Sequence, residues 1–132
     1  MGVVYHTNYL VWCEMGRTDL LRRLGATYAE LERQGVFLVV SEARVRFKAP
    51  AAYDDLIRVR TGLRKVRSRG VSFAYQIESA ETAAILALAE TDLICVNRER
   101  RPRQLPTEIQ ALLLQRLSET AQEGTTGALS GV

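Results

Sequence analysis

One histidine, two cysteines and three prolines are scant material for a 132-residue chain, and each scarcity removes a class of chemistry. A zinc centre needs four ligands drawn from clustered His, Cys and carboxylates. His6, Cys13 and Cys95 show no such spacing, so no metal is expected. Two cysteines make no disulfide framework, and both lie in apolar surroundings. They read as buried, reduced thiols of a cytoplasmic chain. No apolar run approaches the ~20 residues that cross a bilayer. The first residues carry no basic flank ahead of an apolar core, so no secretory leader is expected. His6 also stands where a myristoylation signal wants Ser or Thr. A glycine-rich phosphate loop, a Ser-His-Asp order and internal repeats are missing as well. Neither sign of charge dominates: the formal net charge of +3 is too small to imply a nucleic-acid partner, yet it permits local attraction to a phosphorylated ligand.

What is present describes one soluble domain. A hydrophobic share of 47% with 25% charged residues is ordinary for a globular chain of this length. Leu10, Cys13, Leu20, Leu21 and Leu24 fall mostly at three- and four-residue steps, the spacing of one apolar helix face. Thr7 or Asn8 offers the N-cap, and Gly25 supplies the stop. A long helix therefore starts almost at the first residue, with its free amides beside Tyr5 and His6. Such an end suits an anion or the oxyanion of an acyl-transfer transition state. A short helix from Tyr28 to Gln34 follows.

Strands come next. Val36–Val40 continues into Ala43, Val45 and Phe47, which alternate with Arg44, Arg46 and Lys48. After a turn at Tyr53-Asp54-Asp55, Leu56, Ile57, Val59, Thr61 and Leu63 alternate with Arg58, Arg60 and Arg64. Arg67-Ser68-Arg69-Gly70 makes a basic turn, and Val71, Phe73, Tyr75 and Ile77 give the clearest period of two in the chain. The segment from Ala83 to Asn97 is ambiguous: its first half favours helix by propensity, whereas Leu93–Val96 reads as strand. A helix from Leu105 onward presents Ile109, Leu112 and Leu113 on one face. Residues 1–117 form the domain, and the polar stretch 118–132 is expected to be disordered. Antiparallel strands joined by short turns complete the expectation.

Gly2-Val3-Val4-Tyr5-His6-x-Asn8-Tyr9, running into a helix with Glu14, Arg17 and Thr18, resembles the acyl-CoA thioesterases of the 4-hydroxybenzoyl-CoA thioesterase and YbgC group. The resemblance covers about residues 2 to 115. It implies an α+β hot-dog fold, a long helix wrapped by a curled antiparallel sheet, and so resolves Ala83–Asn97 as strand. It implies hydrolysis of acyl-CoA to free acid and CoA, with no cofactor beyond the CoA of the substrate. It places catalysis at Tyr5 and His6, with the backbone N–H of His6 polarising the thioester carbonyl. Asn8 and Trp12 fall to the substrate, and Lys65, Arg67, Ser68 and Arg69 to the CoA phosphates, often across a dimer interface. Partners are then acyl-CoA, an acyl carrier protein, and further copies of the chain in a homodimer or homotetramer.

One departure bears on activity. The family motif carries a catalytic Asp three residues before the glycine, and only Met1 precedes Gly2 here. The reading therefore treats Met1 as an internal methionine and expects weak or no turnover from these 132 residues alone. The alternative is a non-catalytic acyl-CoA or acyl-carrier-protein binding module of the same fold; a scaffold without ligands is a third. Each site residue also has a plain structural role. Thr7 or Asn8 can simply cap the helix, His6 and Tyr5 can pack, and Trp12 can belong to the core. Arg101 and Arg103 are a second, weaker candidate for the CoA phosphates. The Lys65–Arg69 turn can equally be ordinary solvated surface, and so can Arg101 and Arg103. Glu14, a second candidate carboxylate, is expected to spend its charge in an ion pair with Arg17, three residues on.

Overall fold

The computed structural model describes residues 6–51 and 55–122. The apolar spacing ahead of Gly25 yields α1, His6–Leu24. Its described part starts at His6, with Thr7 and Asn8 within it. Its buried face is Tyr9, Cys13, Arg17, Leu20 and Leu21. Leu10 is 44% exposed, which corrects the expected face: Tyr9, four residues before Cys13, holds the inward position and Leu10 is turned about 100° away. Gly25 and Gly35 adopt φ of +86° and +81°, left-handed values that glycine takes without a Cβ clash. They close α1 and α2, Tyr28–Arg33, whose N-cap Thr27 accepts the Glu30 amide.

Four strands follow: β1 Phe37–Phe47, β2 Ile57–Arg67, β3 Gly70–Ser79 and β4 Ile85–Val96. They form one antiparallel sheet in the order β1-β4-β3-β2. The expected short turns join β2 to β3 and β3 to β4. The link from β1 to β2 instead crosses from one edge of the sheet to the other, because β4 takes the place beside β1. A nearly continuous apolar run suits β4, which pairs on both sides, and that pairing overrides the helical propensity of its first residues.

The inner face of β3 carries Val71, Phe73, Tyr75 and Ile77, all fully buried, and α1 lies across β2 and β3. At the crossing a Cβ on Gly16 would stand 2.2 Å from Thr61 Oγ1 and 3.0 Å from Val59 Cγ1. Only a residue without a side chain permits that approach. Full burial of each Phe, Leu or Ile here contributes about 1.5–3 kcal/mol, and it holds the helix in the curl of the sheet. α3, Thr107–Gln122, packs on β2 with Leu113 buried. It continues past Ser118, where the composition turns polar. The proposed Tyr53-Asp54 turn and the tail beyond Gln122 lie outside the described residues.

The outer sheet face is charged. Glu78, 3% exposed, receives Arg58 Nη1 at 2.9 Å, Arg60 Nε at 3.1 Å and Gln76 Nε2 at 3.0 Å. Burial works to raise its pKa, and the bonds from Gln76, Arg58 and Arg60 outweigh it, so the carboxyl sits below its usual range. A folded pKa below the unfolded one means that folding favours the carboxylate. This contribution is complete above the unfolded value of about 4.3 and is lost as pH falls through the folded one. Acid denaturation monitored by circular dichroism should show it: Glu78→Gln should lose less stability than the parent between pH 5 and 3. Parallel curves would remove Glu78 from the acid response.

Candidate active site

The head of α1 collects the features that thioester chemistry needs. The first four amides of any helix have no intrahelical acceptor and carry a partial positive charge, and α1 has no acidic residue in its first turn to occupy them. Tyr5 lies outside the described residues, and His6 is described by its backbone alone, at the first position of α1. Asn8 is half-buried in that first turn. One turn in, Tyr9 is 2% exposed and meets Trp12 and Phe47 edge-on, with ring centroids 5.0 and 4.9 Å apart. The backbone of Ala51 bonds the Tyr9 hydroxyl, whose pKa burial holds above its ordinary value.

These contacts locate the helix head at the end of the sheet where β1 stops and β2 and β4 start. Large apolar side chains are exposed at that end: Leu10 and Val11 on α1, Phe47, Leu56 and Ile85. Trp12 is half-buried beside Tyr9.

Arg17 departs from expectation. It makes no ion pair with Glu14 among the described residues; Glu14 is exposed and Arg17 is 8% exposed. The guanidinium turns inward, donating from Nε to Tyr28 Oη at 3.1 Å and from Nη1 to Tyr75 Oη at 3.4 Å. Tyr75 Oη in turn stands 2.6 Å from Thr91 Oγ1. Burial pushes the Tyr75 hydroxyl up to about 12, against the pull of Thr91 and Arg17, so the phenol stays neutral beside the cation. The signal for this network was present in the sequence. Arg17 lies four residues after Cys13 and four before Leu21, a buried-face position despite its charge. Cys13 and Cys95 are free and buried; burial raises the Cys13 thiol to about 12 despite Arg17, which makes it a poor nucleophile.

The basic turn lies elsewhere. Ser68 and Arg69 form the two-residue tip of the β2–β3 hairpin, and Lys65, Arg67, Ser68 and Arg69 are all exposed. Phe47, against the helix head, shares a cross-sheet row with Ala87, Ile77 and Val59. Arg67 stands eight residues farther along β2, roughly 26 Å at the rise of a strand. Within one protomer the helix head and the basic tip are therefore at opposite ends of the sheet. The tip has a neighbour that the sequence did not reveal. Leu105 N donates to Ser68 O at 2.8 Å and Cys95 N to Arg69 O at 2.9 Å, which seats the loop 97–104 against it. An open depression of about 710 Å³ lies on the outer sheet face, walled by Arg44, Arg46, Arg64 and Glu90 with Leu88 and Ala74 beneath. No group of three or more potential metal ligands occurs among the described residues, and no described helix is long and apolar enough to cross a membrane.

Comparison with known proteins gives a consistent picture. The family model for the thioesterase-like superfamily matches residues 1–115. The putative acyl-CoA thioesterase YneP of Bacillus subtilis is 34% identical over 99 residues, 75% of this chain and 71% of that one. The acyl-CoA thioester hydrolase YbgC of Escherichia coli O157:H7 is 34% identical over 111 residues, 83% of this chain and 82% of its own. Among solved structures, the hypothetical protein TT1821 from Thermus thermophilus superposes with a TM-score of 0.81 at 35% identity, covering 88% of both chains. The DHNA-CoA thioesterase from Staphylococcus aureus superposes with 0.85 at 28% identity, covering 96% of this chain and 87% of that one. The sheet wrapped on α1 is the hot-dog architecture.

Proposed function

This chain belongs to the thioesterase-like superfamily, and from that membership we propose that it hydrolyses acyl-CoA thioesters to the free acid and CoA. The head of α1 is the observation that carries the reading: a helix N-terminus with no acidic residue in its first turn, next to the Tyr9–Trp12–Phe47 cluster, at an end with exposed apolar side chains. The thioester carbonyl oxygen takes the amide donors, with the acyl group against the aromatic and apolar wall. Water adds to the carbonyl carbon and gives up a proton, and the α1 amides hold the resulting oxyanion. The tetrahedral intermediate collapses with cleavage of the C–S bond, and the departing CoA thiolate recovers a proton. His6 serves as the proton carrier and Tyr5 as a hydrogen-bond donor to the substrate, while Asn8 and Trp12 line the acyl site. No metal or organic cofactor takes part.

Lys65, Arg67, Ser68 and Arg69 hold the CoA phosphates. Since they stand at the far end of the sheet from the helix head, the reading includes a homodimer in which one protomer's hairpin serves the other's helix. β1 supports it: a strand of 11 residues, mostly exposed, that stands at the edge of the sheet among the described residues. A homotetramer, an acyl carrier protein as donor of the acyl group, and a cytoplasmic location complete the proposal.

A thiol-release assay over short, long and aromatic acyl-CoAs tests it. Turnover with at least one class is the expected result. Binding of acyl-CoA without release of thiol across the whole panel would replace the hydrolase with the non-catalytic binding module.

A further inference from the structure

We propose that Arg17 is a positioning residue for the thioester reaction: its guanidinium, bonded to Tyr28 and Tyr75, fixes the rotation and axial place of α1 on the sheet and so aims the helix head. The proposal rests on the acyl-CoA reading above and concerns a residue that touches no substrate.

The crossing of α1 on the sheet is the first ground. Two adjacent helix residues meet two directly opposed strand residues there, because Thr61 of β2 and Tyr75 of β3 are cross-strand partners. Gly16 stands against Thr61 Oγ1, which sets how deep the helix lies. Beside it, Arg17 Nη1 donates to Tyr75 Oη at 3.4 Å and Nε to Tyr28 Oη at 3.1 Å. Tyr75 Oη also meets Thr91 Oγ1, so one side chain ties α1 to α2, to β3 and, through Tyr75, to β4. Apolar contacts are non-directional and tolerate a slip of one surface over another. A planar guanidinium holds its donors in a fixed fork and does not.

The cost of the arrangement is the second. Arg17 is 8% exposed, and both of its hydrogen-bond partners are neutral phenols. Burying a cation without a counter-ion forfeits hydration, and an apolar side chain of similar volume often leaves a protein as stable or more so. Stability alone therefore does not call for arginine here; direction does. Arg17 stands eleven residues from His6, roughly 16 Å along the helix axis, and five from Trp12. α1 runs unbroken from His6 to Leu24. In a close-packed interior, a turn or slip at Arg17 is carried along it to the head.

Arg17→Met, which keeps an unbranched side chain and removes the fork, is the test. With the acyl-CoA that the parent turns over best, its kcat should fall about tenfold and its KM should stay near the parent's. Its urea midpoint should stay at or above the parent's, an outcome opposite to that of a purely structural arginine. Trp12 is the single tryptophan of the chain, and its packing on Tyr9 makes its emission a reporter of the helix head that needs no turnover. That emission should shift to longer wavelength in Arg17→Met. Arg17→Lys keeps the charge without the fork, and Tyr28→Phe removes one bond of the two. Both should fall between the parent and Arg17→Met in kcat and in emission, and they carry the test if Arg17→Met does not fold. A folded variant with the parental kcat overturns the proposal, and so does an unmoved Trp12 emission, whatever the rate. A parent that releases no thiol refutes the hydrolase, and the emission then decides alone. A shift keeps Arg17 as the residue that places the helix head, and no shift removes it.

Discussion

Gly16→Ala should destabilise the protein by about 2 kcal/mol, although alanine is the better helix former. In an isolated helix the same change would gain up to about 1 kcal/mol. Here the new methyl would sit 2.2 Å from Thr61 Oγ1. Thr61 is fully buried and β-branched, so its hydroxyl has little freedom to rotate away, and overpacking of this kind typically costs 1–3 kcal/mol. Relief must come from a shift of α1 off β2, and the same shift would move the helix head. Activity should fall with stability as a result, and more than stability alone explains at temperatures where the variant is fully folded.

Thr61→Ala supplies the counter-test. Thr61 Oγ1 is buried without a hydrogen-bond partner among the described residues, so its removal leaves no polar group orphaned and should cost less than about 1 kcal/mol. Combined with Gly16→Ala it should recover most of the loss, since the atom in conflict is gone. Urea titrations of the four proteins give the coupling directly. A Gly16→Ala protein as stable as the parent, or a double variant no better than Gly16→Ala alone, would mean that the crossing is looser than 2.2 Å implies.

His6→Ala should lower kcat about a hundredfold with little change in KM, the scale expected for loss of a positioned proton carrier. The amides of α1 remain, so a residual rate from carbonyl polarisation should persist. The pH profile separates a chemical role from a packing one. With His6 as the proton carrier, the parent's kcat should fall on the acid side, since the base form is lost on protonation. His6→Ala should lack that limb, and His6→Gln should lack it too while preserving size. A His6→Ala enzyme within twofold of the parent and with the same profile would take His6 out of catalysis and leave the chemistry to other groups at the helix head.

Much of this is legible in the sequence. The long helix, its glycine stop and the alternation from Val71 to Ile77 report local periodicities of 3.6 and 2, which survive folding because each element buries one face. The first motif led to the thioesterase resemblance and so to the fold. Errors arose where the local rule met a distant partner. Leu10 was expected inside, but Tyr9 is. Arg17 was matched to Glu14 by helical spacing, yet two tyrosine hydroxyls from α2 and β3 compete for it and win. Short turns were expected between all strands, whereas β4 displaces β2 from the side of β1.

The sequence by itself determined the long helix with its glycine stop, the alternation of the strands apart from the first half of β4, and which family the chain resembles. Those are properties of neighbours three, four or two residues apart. Tertiary structure alone decided that Gly16 meets Thr61, that the helix head and the basic hairpin occupy opposite ends of the sheet, and that the loop 97–104 lies against that hairpin. Each of these joins residues 30 or more positions apart, or sets the distance between them. Such relations are fixed by strand order and by close packing, and no local period in a sequence encodes either.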